Sequence, residues 1–138
     1  MARKRIIDVT ADSTLSKNQS GSLVTLGKAA GITLKLPNAG RGLEYEIVVK
    51  TAVTSNAYKI IGNDSASMRG AILQATAGEI SELYVGNGTT HIAVSMNGST
   101  SGGLVGTNLK FVCDNDGIWN VVGQNVGSGA IATPWSTS

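Results

Sequence analysis

Histidine and cysteine occur once each in this chain, at His91 and Cys113, and that scarcity removes much catalytic and metal chemistry at the outset. A single Cys closes no intrachain disulfide, and one His with one Cys cannot build a His/Cys zinc cage. A serine triad would have to use His91 as its base. Charge is also thin. Asp, Glu, Lys and Arg make up 14% of the residues, where an average domain has roughly 25%. The net charge of +2 is small and scattered, which gives no argument for nucleic acid. Aromatics are 4%, and Pro occurs only at Pro37 and Pro134. No stretch approaches the ~18 apolar residues of a membrane helix. The opening Met-Ala-Arg-Lys-Arg-Ile-Ile-Asp is basic but lacks the apolar core of a secretory signal. Assembly in a reducing cytosol is therefore expected.

What is present is Gly, at 18 residues, with abundant Ser and Thr and with Ile, Leu and Val recurring from Ile6 to Ile131. Such a chain can bury a core, unlike a charge-rich disordered one. Its 138 residues match one domain. Without disulfides or metals, a domain of this size is expected to gain stability from subunit contacts.

The apolar period is that of strands. Ile32, Leu34 and Leu36 alternate with Thr33 and Lys35 before Pro37-Asn38 stops the run. Leu43, Tyr45, Ile47 and Val49 alternate inward, with Glu44, Glu46 and Val48 outward. Tyr58 to Ile61, Ser81 to Val85 and Thr90 to Met96 are further strands, each closed by Gly/Asn turns, and Arg69 to Ala75 is a weaker one. A Gly/Ser loop runs from Gly98 to Gly106. Leu109 to Cys113 and Ile118 to Val122 flank Asp114-Asn115-Asp116-Gly117, the strongest hairpin signal in the chain. No helical stripe is sustained, so the expected fold is all-β: an antiparallel sandwich or barrel-like, jelly-roll-like domain over residues 13–123. Residues 1–12 and 124–138 read as extended arms, and deleting Met1 to Ile7 or Gln124 to Ser138 is expected to leave the β fold intact. Trp135 suggests that the second arm docks on something.

Motifs with chemistry fail on spacing. Gly98-Ser99-Thr100-Ser101-Gly102 is not a nucleophile elbow, and Cys113 in a strand reads as a buried thiol. Gly21 to Lys28 has five residues between its glycines, and Ala29 follows the lysine, so it is not a phosphate loop. Asp114 and Asp116 start like a calcium loop, but Ile118 to Val122 carries no acid to complete it, which leaves a hairpin turn as the better reading. No catalytic residue, metal or cofactor is expected. Arg3-Lys4-Arg5 is the one basic cluster, and no aromatic interleaves with it for base stacking.

The stretches from Gln19 to Val24, Gly31 to Ala39, Gly42 to Val49, Asn56 to Ile60 and Leu109 to Gly123 together resemble a β-rich module of tailed-bacteriophage virion proteins. At this size the chain looks like a head decoration, or cement, protein. The resemblance implies a structural role without catalysis, on the capsid surface of a virion assembled in the host cytoplasm. It implies the major capsid protein as partner and self-association, often as a homotrimer. Neither nucleic acid nor membrane is an expected partner. The candidate contact residues are Arg3, Lys4 and Arg5 in one arm and Ile131 and Trp135 in the other. The alternative is a receptor- or glycan-binding module of a tail fibre or other appendage, which would expose aromatics such as Tyr84 or Trp135 near loop tips.

Overall fold

Alternation places its apolar residues as the sequence predicts. Ile32, Leu34 and Leu36 are buried, as are Leu43, Tyr45, Ile47 and Val49, while Thr33 and Lys35 face solvent. The computed structural model describes residues 3–78, 80–115 and 117–138. Its strands, in chain order, are β1 (Ile6–Val9), β2 (Ser13–Thr14), β3 (Ser22–Leu26), β4 (Ile32–Lys35), β5 (Glu44–Val49) and β6 (Tyr58–Ile61). They continue with β7 (Ser67–Thr76), β8 (Ser81–Asn87), β9 (Ala93–Met96), β10 (Asn108–Asn115), β11 (Ile118–Gly127) and β12 (Trp135–Ser136). The chain is all-β, with two sheets packed together as a sandwich. One sheet has the order β1-β3-β5-β10-β11-β7-β8 and the other β12-β9-β6-β4-β2.

The sheets are mixed, not antiparallel throughout. From Ile6 to Ile61 successive strands fall alternately in the two sheets. This makes β1, β3 and β5 parallel neighbours on one side and β2, β4 and β6 parallel neighbours on the other. The segment is a flattened coil, each turn of which adds one strand to each layer. The turns are short because they cross the thickness of the sandwich. Gly31, at φ +93°, ends one of them, and a Cβ there would lie 2.6 Å from the Ala57 carbonyl oxygen. Antiparallel strands β10 and β9 then close the coil against β5 and β6. The order is not a jelly roll, whose sheets are antiparallel Greek keys.

The core between the sheets holds Trp119, Tyr45, Tyr58, Phe111, Ile72 and Met68, all fully buried. The expected hairpin joins β10 to β11, pairs Asn115 with Ile118 and has Gly117 at φ +90°. Asp116, the middle of that expected turn and one of the two calcium candidates, lies outside the described residues.

Two expectations change, and a third, the strand near Arg69, is met and lengthened. His91 is not in a strand: β9 begins at Ala93. The weakly patterned run near Arg69 is a ten-residue strand, β7, paired on both sides. The two terminal segments read as arms contribute strands. Residues 6–9 pair with β3, β11 continues past 123 to Gly127, and Trp135 pairs with Val94. Removing 124–138 would cut β11 in its paired length and take Asn125, which is fully buried. Of the N-terminal segment, Met1 and Ala2 lie outside the described residues.

Candidate interaction surface

The outer face of the seven-stranded sheet is built by register. Ile6, Leu23, Glu46, Lys110, Val122, Ala71 and Val85 form one row across all seven strands. The next row is Asp8, Thr25, Val48, Asn108, Gln124, Leu73 and Leu83. The two halves of this face differ. Toward the β1 edge, Lys4 Nζ, just before β1, donates to Glu46 of β5 at 2.9 Å, and Lys110 of β10 pairs with Glu44 of β5 at 3.1 Å. Asn108 Nδ2 adds a second hydrogen bond to Glu46 at 3.0 Å. These donors, Lys4 first, hold the Glu46 carboxyl below its ordinary range, and the same bond raises Lys4. On β11, β7 and β8 the two rows carry no charge. Val85 is 67% exposed, Leu83 59%, Val122 52% and Leu73 41%. Singly these would be ordinary; side by side they form a patch of the kind that marks contact surfaces.

Behind this patch lies a buried hydrogen-bond network centred on Asn125 and Gln74. Asn125 Oδ1 accepts from the Gly103 N–H (3.1 Å) and the Thr107 hydroxyl (3.2 Å). Its Nδ2 donates to the Ser101 carbonyl (2.8 Å) and to Gln74 Oε1 (3.3 Å). Gln74 Nε2 in turn donates to the carbonyls of Ala132 (3.0 Å) and Thr100. This buried network ties β7 and β11 to the Gly/Ser loop and to the C-terminal segment.

The residues expected to make contacts lie far apart in the fold. Arg3 is exposed before β1, Lys4 pairs with Glu46, and Arg5 Nη2 donates to the Asn18 carbonyl at 2.7 Å. All three sit at the β1 edge, the opposite edge of the sheet from β8. Ile131 is half-buried, and Trp135 is only 6% exposed. The docking expected of Trp135 is met within its own chain, where its Nε1 donates to the Tyr84 carbonyl at 3.1 Å. Sequence reasoning missed Leu73, Leu83, Val85 and Val122. The available signal was apolar residues in succession, Leu83-Tyr84-Val85 and Val121-Val122, which puts one on each face of a strand.

The remaining candidates are packed into the structure. His91 Nδ1 accepts from the Asn87 N–H at 3.1 Å, and its ring stacks on Trp135 at 5.7 Å. Cys113 is buried, and its Sγ donates to the Ile118 carbonyl. Asp114 is held by Asn120 Nδ2 at 2.9 Å and by Arg69 at 3.5 Å. Among the described residues no three of His, Cys, Asp and Glu gather where a metal could sit. Among them, too, no helix is long and apolar enough to cross a membrane. Tyr45, Tyr58, Phe111, Trp119 and Trp135 are buried and Tyr84 is half-buried, so these aromatics offer no exposed stacking platform for a sugar. No family model matches the chain, and no curated protein or solved structure matches it either.

Proposed function

We propose that the chain is a structural protein of a virus particle, a decoration protein that binds the outside of the assembled head through the uncharged face of β11, β7 and β8. The observation that carries this reading is the pair of neighbouring rows Val122, Ala71, Val85 and Gln124, Leu73, Leu83, an uncharged and mainly apolar surface. Its partner is the major capsid protein. The resemblance of residues 19–123 to phage virion modules supports the same class. The action is by mass balance: a protein that binds the assembled shell better than loose subunits stabilises the shell. Weak single contacts add up when several copies sit on one lattice.

Co-sedimentation with expanded capsids tests the reading. The wild-type chain is expected to saturate a fixed number of sites. Leu73→Lys combined with Val122→Lys is expected to weaken binding at least tenfold with unchanged far-ultraviolet circular dichroism, because both side chains are exposed. No saturable binding by the wild type, or full binding by a folded double variant, overturns it.

A further inference from the structure

We infer that β8 is a pairing edge for a second copy of this chain, joining two seven-stranded sheets into one across a twofold axis through Tyr84. The backbone sets this up. Thr76 N–H donates to the Ile80 carbonyl and Gly88 N–H to the Met68 carbonyl, which fixes the even-numbered residues of β8 as those bonded to β7. By alternation, the N–H and C=O groups of Ser81, Leu83 and Val85 point away from β7, toward the free edge. Asn87 belongs to the same set, and its N–H is already taken by His91 Nδ1.

Open edges invite strand addition unless charge, proline or shortness blunts them. The other edges are blunted. β2 and β12 are two residues long, and β1 is flanked by Lys4 and Arg5 and contains Asp8. β8 has seven residues, no proline and one charge, Glu82.

The sequence of β8 is self-complementary in the antiparallel sense, which identifies the occupant. Centred on Tyr84, Leu83 falls opposite Val85 of the second copy and Val85 opposite its Leu83. Ser81 meets Asn87, and Glu82 meets Gly86, so no like charges oppose. Leu83 and Val85 are also the residues whose backbone groups are directed outward, so this register forms hydrogen-bonded pairs where bonds are needed. Shifting it by one bonded pair in either direction sets Val85 against Ser81 or Leu83 against Asn87. An isologous contact of this kind closes as a dimer, not as the threefold ring that the resemblance implies.

Sedimentation velocity and disulfide trapping test the pairing. The wild type is expected to sediment as a dimer, and Leu83→Lys with Val85→Lys as a folded monomer by circular dichroism. The bonded pair places the two Cα atoms about 5.5 Å apart, within disulfide range. Chains carrying Leu83→Cys mixed with chains carrying Val85→Cys should therefore cross-link to each other in preference to themselves. A wild-type monomer or trimer, a dimer untouched by the two lysines, or no preferential cross-link overturns the inference. A monomer that still saturates capsids would overturn the pairing and leave the head-binding reading standing.

Discussion

The indole of Trp135 lies directly against the backbone of Gly86: a Cβ placed on Gly86 would fall 2.7 Å from the Trp135 ring. The ring is held on its other contacts by the Tyr84 carbonyl and the His91 imidazole. The last strand of one sheet is thus keyed to the edge strand of the other by a side chain that fits only because residue 86 has none.

Gly86→Ala should therefore push the indole out of its seat. Overpacking of this sort costs about 1–3 kcal/mol. Trp135→Ala, which empties the seat, should cost about 3–5 kcal/mol. Urea unfolding measures both, and a red-shifted tryptophan emission should accompany the first. Gly86→Ala at wild-type stability with unchanged emission would show that the contact is not tight.

Asn125 makes four hydrogen bonds in a fully buried setting, and its loss would remove that partner from the Gly103 N–H, the Thr107 hydroxyl, the Ser101 carbonyl and Gln74 Oε1. Asn125→Ala should cost about 2–4 kcal/mol. Asn125→Asp should be at least as harmful near neutral pH, since it keeps the acceptor oxygens but replaces two donations with a buried charge. Equal stability of Asp and Asn at this position, read from denaturant midpoints, would remove the network as the anchor of the Gly/Ser loop.

The Lys4–Glu46 pair gives a pH dependence with a definite sign. Glu46 is held below its ordinary 4.5, so its contribution is complete above that value and is lost as pH falls through the depressed one. Lys4 is raised above 10.5, so its contribution is complete below 10.5 and is lost as pH rises through the raised value. Both are in force at neutral pH. Their partial exposure and salt screening keep the pair near ~0.2–1 kcal/mol. Glu46→Gln should lower Tm by roughly 1–3 °C at about pH 6, a difference that disappears as pH falls through the depressed Glu46 value. A constant offset across that range would assign the effect to something other than the carboxylate.

Strands β4 to β10 and the start of β11 were legible in the sequence, as were the inward faces of β4 and β5; β1, β2, β3 and β12 were not, and beyond the β10–β11 hairpin neither were strand partners. Ile32-Thr33-Leu34-Lys35-Leu36 says that one face is buried and one is wet, but says nothing of direction. Parallel strands usually betray themselves as continuous apolar runs because both faces are covered. In this coil each parallel strand has one wet face, so β3, β4 and β5 alternate as antiparallel strands would. The Gly27 to Gly31 connection crosses between sheets instead of joining neighbours in one. The second half of β11 was hidden by its polar content: beyond Trp119 and Val121 the inward period continues through Gly123, Asn125 and Gly127, but glycines and an asparagine do not look like a core. The uncharged face of β11, β7 and β8 was missed because surface apolar residues carry no period of their own; register across the three strands brings them together.

Tyr58 is the clearest test of the coil itself. Its ring is fully buried, and its hydroxyl donates to the Thr51 carbonyl at 2.6 Å while accepting the Lys28 N–H at 3.0 Å. Lys28 lies between β3 and β4, and Thr51 between β5 and β6, so one oxygen ties two successive turns. Tyr58→Phe should cost about 1–3 kcal/mol by leaving both backbone groups without that partner. Burial also raises the hydroxyl above its ordinary 10.0. The folded state therefore keeps a proton that the unfolded chain releases, and stability should fall as pH climbs past 10.0. The phenylalanine variant lacks this proton, so its stability should fall less steeply between about pH 9 and about pH 11. Denaturant midpoints across that range decide the matter, and identical slopes for the two proteins would mean that the hydroxyl is not the tie between the turns.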